Sequence, residues 1–266
     1  MPTFLTSDGV SLHYAVQGEG PDLLLLNGLF GDREFWEPVS GPLSQHRRCI
    51  LLDHRGIGAS ERWTGEYSYA LWARDALELM DHMRIVTAPI LGLCHGGMVA
   101  AAMALASPER IRGIVTHGTR LLESPKARVY DRFRHRLLEM GGVELAMAAQ
   151  MASIFGEKAL AEAEPYLDKM AASAPSRMDR ESSLAMLVAL ADFHLAPEAL
   201  SGLSIPALFL AGEEDQYVPP WMARRTAAAW PGARFLELPG IGHIIPREAP
   251  GEFVRLALSF LHEHSI

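Results

Sequence analysis

Leu91-Gly92-Leu93-Cys94-His95-Gly96-Gly97-Met98 is the stretch on which the reading of this chain turns. It closes the continuous apolar run Pro89-Ile90-Leu91-Gly92-Leu93, as expected of a strand buried on both faces, and it opens the helix-forming pattern Met98-Val99-Ala100-Ala101-Ala102-Met103. A chain that passes from strand to helix in one sharp turn holds the turning residue under backbone strain, so its neighbours two positions away must be small. Gly92 and Gly96 meet that need. The pattern is G-x-S-x-G with cysteine in the serine position. Such a turn leaves the sulfur at a helix N-terminus, where the dipole and the unpaired N–H groups favour a thiolate and a nearby oxyanion. By itself the octapeptide also fits an inert buried cysteine between glycines that allow tight helix packing. The rest of the chain decides between the two.

Upstream, Leu12-His13-Tyr14-Ala15-Val16 alternates like a half-exposed strand near an edge, whereas Leu23-Leu24-Leu25-Leu26 and Cys49-Ile50-Leu51-Leu52 are continuous. Downstream, Ile111-Arg112-Gly113-Ile114-Val115, Ala207-Leu208-Phe209-Leu210 and Arg234-Phe235-Leu236-Glu237-Leu238 continue the series, with a closing helix at about Pro246 to His262. Strands spaced by helical stretches predict an α/β fold with a mostly parallel sheet covered on both faces. Between Thr119 and Ser204 the strand rhythm stops. Leu, Met and Ala recur there at helical spacing, with Pro165, Pro175 and Pro197 as breaks, so residues 120–204 read as a helical cap set into a core of residues 1–119 and 205–266. Six of the 12 methionines fall in that insertion: Met140, Met147, Met151, Met170, Met178 and Met186. An adaptable, apolar pocket beneath the cap is expected, with Met147 and Met151 as substrate contacts, although plain packing between cap helices accounts for the same residues.

A length of 266 residues is enough for a large core, and 49% hydrophobic with 21% charged residues is ordinary globular composition. The net charge of −8 argues against nucleic acid and anionic membrane as partners. Two cysteines, Cys49 and Cys94, can build neither a disulfide framework nor a thiolate zinc site, and no metal or other cofactor is expected. With no signal-like N-terminal run and no apolar stretch of spanning length, a cytoplasmic protein is expected.

Two further segments supply partners for Cys94. Leu210-Ala211-Gly212-Glu213-Glu214-Asp215-Gln216-Tyr217-Val218-Pro219 follows one late strand, and Gly240-Ile241-Gly242-His243 follows the next, so an acid and a histidine come after the nucleophile in that order. Asp53-His54-Arg55-Gly56-Ile57-Gly58-Ala59-Ser60 forms a fourth motif, D-x-R-G-x-G-x-S, between a strand and a helix. In these four motifs the sequence resembles the α/β-hydrolase fold superfamily along its whole length. The resemblance implies about eight strands, mostly parallel, and a helical cap inserted after the sixth.

It also implies Cys94 as nucleophile, His243 as general base and acid, and Asp215 as the residue that orients it, with Glu213 and Glu214 as the competing acids and His54 and His95 as the competing histidines. The oxyanion hole falls to the backbone N–H groups of His95 and Leu29, with the His95 side chain near the pocket. Asn27-Gly28 replaces the family's usual His-Gly, so Asn27 either orders that loop or touches substrate, and Phe30 follows as a substrate contact. The wording Asn27-Gly28-Leu29-Phe30-Gly31 is similar to the corresponding loop of 3-oxoadipate enol-lactonases, which also resemble this chain in length and in where the lid lies.

Cysteine in this box has two precedents. Dienelactone hydrolases, with a similar G-x-C-x-G-G elbow, open lactones; polyhydroxyalkanoate synthases transfer acyl chains. Hydrolysis of an ester, lactone or thioester through an acyl-thioester is therefore the leading expectation. Acyl transfer or cyclisation from a thioester donor to an amine, alcohol or thiol is the alternative, and a non-catalytic binding relative is disfavoured because all three triad positions are filled. The partner is a small acyl substrate, free or borne on coenzyme A or a carrier protein. The segment from Arg120 to Arg136 is basic: Arg128, Arg132 and Arg136 share one helix face beside the apolar row Val129, Phe133 and Leu137. The plain expectation is a solvated face over a buried one; the sharper one is that Arg128 and Arg132 meet a substrate carboxylate, a coenzyme A phosphate or an acidic carrier.

Overall fold

The computed structural model describes residues 2–176 and 178–266. Its sheet has eight strands: β1 (Thr3–Leu5), β2 (Ser11–Gln17), β3 (Asp22–Leu26), β4 (Arg48–Leu52), β5 (Ala88–Leu93), β6 (Ile111–His117), β7 (Ala207–Gly212) and β8 (Ala233–Leu238). They lie in the order β1-β2-β4-β3-β5-β6-β7-β8. The β1–β2 and β2–β4 pairings are antiparallel and the rest parallel. The short outer strand β1 carried no sequence signal. It makes β2 a second strand, which is why His13 and Tyr14 are both buried.

The run of four leucines in β3 shows why the central strands read as continuous. Leu24 and Leu26 face one core, with Trp72, Met98, Phe209 and Trp230, while Leu23 and Leu25 face the other, with Trp36, Phe253 and Phe260. Among the helices on the sheet are Tyr69–His82, His95–Ala106, Pro220–Ala229 and Pro250–Glu263, the last preceded by the short turn of helix Ile245–Glu248. The closing segment is therefore two helices, separated at Ala249 just before Pro250.

Helices fill the interval between β6 and β7. The first, Pro125–Ile154, is capped by Ser124, whose Oγ accepts from the Ala127 N–H at 3.3 Å, and is broken at Gly142, which adopts φ 70°. Glu157–Ala163, Leu167–Ser173 and Arg180–Asp192 follow. A last short helix, Pro197–Ser201, packs on Pro220–Ala229 of the core. The inward face of the first cap helix is Ala127, Asp131, Arg134 and Leu138, whereas Val129 and Phe133 are more than half exposed. This corrects the expected burial of Val129 and Phe133. Arg128, Arg132 and Arg136 point to solvent, and the arginine on the inward face is Arg134. A polar cluster fixes the helix phase: Arg120 pairs with Asp131, and Arg134 reaches Tyr217. Among the described residues no helix is long and apolar enough to cross a membrane.

Candidate active site

Cys94 adopts φ 48° and ψ −105° between the end of β5 and the first turn of the helix His95–Ala106. Only a few non-glycine residues take a positive φ, and here the strain is held by the surroundings. Cys94 N donates to His117 O at 2.9 Å, while Cys94 O accepts from Met98 N and from Thr119 Oγ1, both at 3.1 Å. The two flanking glycines are required by close approach: a Cβ on Gly96 would run into the main chain of Leu26, and one on Gly92 into that of Gly97. The sequence therefore brings β5 and its helix close enough to hold the sulfur at a helix N-terminus, buried to 8% exposure.

The loop after β7 presents Asp215. Its Oδ1 accepts from the backbone N–H groups of Tyr217 (2.9 Å) and Val218 (2.8 Å), which leaves Oδ2 for His243 Nδ1 at 2.7 Å. Glu213 and Glu214 turn elsewhere: Glu213 accepts from Gly240 N and Glu214 from Glu157 N. His243 stands after β8 with its ring against Gly118, a position with φ +58° where any Cβ would strike the imidazole. The pairing with Asp215 fixes the tautomer that carries the proton on Nδ1, so Nε2 is free to serve Cys94. Burial alone would lower the His243 pKa. The Asp215 carboxylate, aided by hydrogen bonding and charge interaction with Cys94, outweighs it and lifts the imidazole to about 10.

Sequence reasoning missed how these loops are tied down. Ser153 O accepts from Gln216 N (3.1 Å) and Tyr217 N (3.2 Å), and Ile154 O accepts from His243 N at 2.7 Å, so the end of the first cap helix clamps both loops. Glu248 grips the histidine loop from below: Oε2 accepts from Gly242 N (2.8 Å) and Gly156 N (2.9 Å), and Oε1 from Ile244 N at 3.1 Å. A lone glutamate five residues after a histidine gives no signal of this. The D-x-R-G-x-G-x-S motif is scaffolding. Asp53 accepts from the N–H groups of Arg33 (2.7 Å) and Ala59 (3.1 Å), and buried Arg55 forks onto Asp75 and Asp8.

Two expected oxyanion donors, the N–H groups of Leu29 and His95, make no backbone hydrogen bond among the described residues. Asn27 is corrected from substrate contact to loop support. It is fully buried, its Nδ2 donates to Leu52 O at 3.0 Å, and its Oδ1 accepts from Trp36 Nε1 at 3.0 Å. The His95 side chain is likewise turned away from solvent, with Nδ1 3.0 Å from Tyr69 Oη and the ring against Trp72 and His54. Both competing histidines are buried, and desolvation drives their pKa values down, that of His54 to about 3, so neither is suited to gain a proton. Met151 is buried and Met147 half-buried. Phe30 is half-buried, with the Arg134 guanidinium 4.9 Å from its ring centroid. Among the described residues no group of three or more His, Cys, Asp or Glu is arranged to hold a metal ion.

A strained turn at the carboxyl end of a central parallel strand, served by loops from the next strands of the sheet and roofed by helices, defines a class of enzymes that carry their chemistry on that turn. The chain belongs to the α/β-hydrolase fold family, whose profile matches residues 21–250. It is 27% identical over 253 residues to RutD of Azorhizobium caulinodans, provisionally named a carbamate hydrolase, with 95% of each chain covered. Among solved structures it is similar to the enol-lactonase from Burkholderia xenovorans LB400, at 28% identity and a TM-score of 0.87, covering 98% of this chain and 100% of that one. A thermophilic esterase from Thermogutta terrifontis superposes with a TM-score of 0.86 at 26% identity, covering 98% and 97%.

Proposed function

We propose that this enzyme hydrolyses an ester, a lactone or a related carbonyl compound such as a carbamate through a covalent intermediate on Cys94. The observation that carries the reading is the 2.7 Å contact between Asp215 and His243, with the other face of the imidazole given to the elbow cysteine. The activities named for the esterase, the enol-lactonase and the RutD relative support the substrate range.

In acylation the Cys94 sulfur attacks the carbonyl carbon, the carbon–sulfur bond forms, and the negative charge gathers on the carbonyl oxygen. The Leu29 and His95 N–H groups are the donors for that oxygen, each contributing about 3 kcal/mol to the transition state. Collapse breaks the bond to the leaving group, which takes the proton held by His243. Water then attacks the thioester carbon, His243 accepts its proton, and the acid departs as that proton returns to restore the cysteine–histidine pair. Asp215 holds the ring in one tautomer and stabilises it when protonated.

Intact mass spectrometry after incubation with a panel of esters, lactones and acyl thioesters tests this. An acyl adduct on Cys94 that disappears with time, and that Cys94→Ala does not form, is the expected result. Adding amine or thiol acceptors separates hydrolysis from transfer: the free acid as the sole product excludes transfer.

A further inference from the structure

Arg134 enters the active site from the cap and is 5% exposed. Its guanidinium lies between two rings, 4.9 Å from the centroid of Phe30 and 4.9 Å from that of Tyr217. Phe30 follows the oxyanion residue Leu29, and the Tyr217 ring is 5.1 Å from that of His243. Arg134 is therefore suspended between the oxyanion loop and the acid loop, near enough to Cys94 for their charges to interact.

The hydrogen bonding of this group is incomplete. Of the five N–H donors on a guanidinium, one is used among the described residues, from Nη1 to Tyr217 Oη at 2.8 Å. Nε and Nη2 have no hydrogen-bond partner among the described residues, yet they are not sealed from solvent as the unpartnered Arg120 Nε is. No carboxylate among the described residues forms an ion pair with Arg134. The nearest candidate on the same helix, Asp131, is paired with Arg120 and accepts from Tyr217 Oη at 3.5 Å. Asp131 and Cys94 act on Arg134 through charge at a distance and not through a direct ion pair, so the buried fork keeps donors to spare for an anion that enters beside it. The planar fork is the side chain best shaped to receive a carboxylate through two parallel hydrogen bonds.

Resting on the hydrolase reading, we infer that Arg134 is the receptor for a carboxylate on the substrate, so the preferred substrate is an ester or lactone that carries a free carboxylate a few atoms from the scissile carbonyl. Anions are thus recognised beneath the cap by Arg134; Arg128 and Arg132, the sequence candidates, lie in solvent.

The test uses the mono-para-nitrophenyl esters of succinic, glutaric and adipic acids, each beside its counterpart with the free carboxylate methylated. Wild-type enzyme should favour the acid of at least one pair in kcat/KM. In Arg134→Met that ratio should fall at least about thirtyfold, the loss expected of a charge-assisted contact, and Arg134→Lys should retain part of it. Protection of Cys94 from iodoacetamide by succinate, glutarate or adipate, but not by the dimethyl esters, should appear in the wild type and gives a reading on an unmutated chain should Arg134→Met fail to fold. A wild type that turns over acids and methylated partners equally, without protection, overturns the role of Arg134 and leaves the triad standing. Equal losses on both partners in Arg134→Met, with a moved alkylation profile for Cys94, would make Arg134 a counter-ion for the sulfur and overturn it too. A wild type that forms no acyl adduct with either partner removes the hydrolase reading itself.

Discussion

Asp215→Asn isolates what the carboxylate does, because it removes a charge at nearly constant shape. The new side chain can still accept from the Tyr217 and Val218 N–H groups, so the loop is retained. The atom now facing His243 Nδ1 is an amide nitrogen that donates, which drives the ring proton to Nε2 and leaves no acceptor toward Cys94. The lift on the imidazole is also lost: Asp215 is its main source, and without it burial pulls the ring downward. The span from 6.5 to about 10 is worth ~5 kcal/mol at about 1.4 kcal/mol per pKa unit, a ceiling because Cys94 supplies part of it. A loss of roughly 3–5 kcal/mol in acylation, about two to four orders of magnitude in kcat, follows. The assay is kcat/KM for an activated ester from about pH 5 to about pH 11. The wild-type profile should fall as pH rises through about 10, where the imidazolium that protonates the leaving group is lost, and the variant's alkaline limb should move down by several pH units.

Stability carries the same sign. A raised folded-state histidine pKa stabilises fully below 6.5 and ceases to do so as pH passes about 10, so the wild type's advantage over Asp215→Asn in urea should be greatest near pH 6 and shrink toward pH 10. A fall in kcat of less than tenfold with an unmoved alkaline limb would refute the assignment.

Cys94→Ala should abolish turnover without unfolding the chain, and iodoacetamide should modify Cys94 well before Cys49, whose thiol burial in β4 pushes up to about 12; equal labelling would argue against an activated sulfur. Asn27→Ala strips Trp36 Nε1 and Leu52 O of their partner and should cost about 2 kcal/mol, lowering Tm by roughly 5 °C; an unchanged Tm would mean the loop is held otherwise. Glu248→Ala frees the N–H groups on either side of His243, so kcat should fall at least about tenfold with KM little changed, and Glu248→Gln should recover part of it. A change confined to KM would point to substrate contact.

The parts of this protein that were legible in its sequence are those where local geometry dictates residue type. The turn at Cys94 cannot form without small neighbours, because the main chains of Leu26 and Gly97 come too close to Gly96 and Gly92 for a Cβ. The leucines of β3 must be continuous because alternate members enter opposite cores. Asp215 and His243 were expected side by side from their place after successive late strands, and β7 and β8 are indeed neighbours in the sheet, with β7 next to β6. What stayed hidden depends on contacts distant in the chain. Asn27 looks equally suited to a substrate or a loop until Leu52 and Trp36 are seen to take both ends of it. Glu248 acts only because the chain returns at Gly156 and Gly242 to present N–H groups to it.

The cap helix shows the limit most clearly. Its sequence places arginines four apart next to an apolar row, and by hydrophobicity alone that row should be buried. A row at intervals of four, however, drifts around a helix of 3.6 residues per turn, while Ala127, Asp131, Arg134 and Leu138 follow the narrower stripe that meets the core. The stripe is polar in its middle, with Asp131 tied to Arg120 and Arg134 reaching Tyr217 on the loop that carries Asp215. A pattern rule that scores burial by apolarity must fail at such a place. The same helix ends at Ser153 and Ile154, whose carbonyls hold the loops of Asp215 and His243. If Arg134 reads the substrate as proposed, one helix serves both recognition and the loops of Asp215 and His243, so weakening the turn at Gly142 should disturb both the acid-to-neutral substrate ratio and kcat, whereas a change on the solvent face at Arg132 should disturb neither.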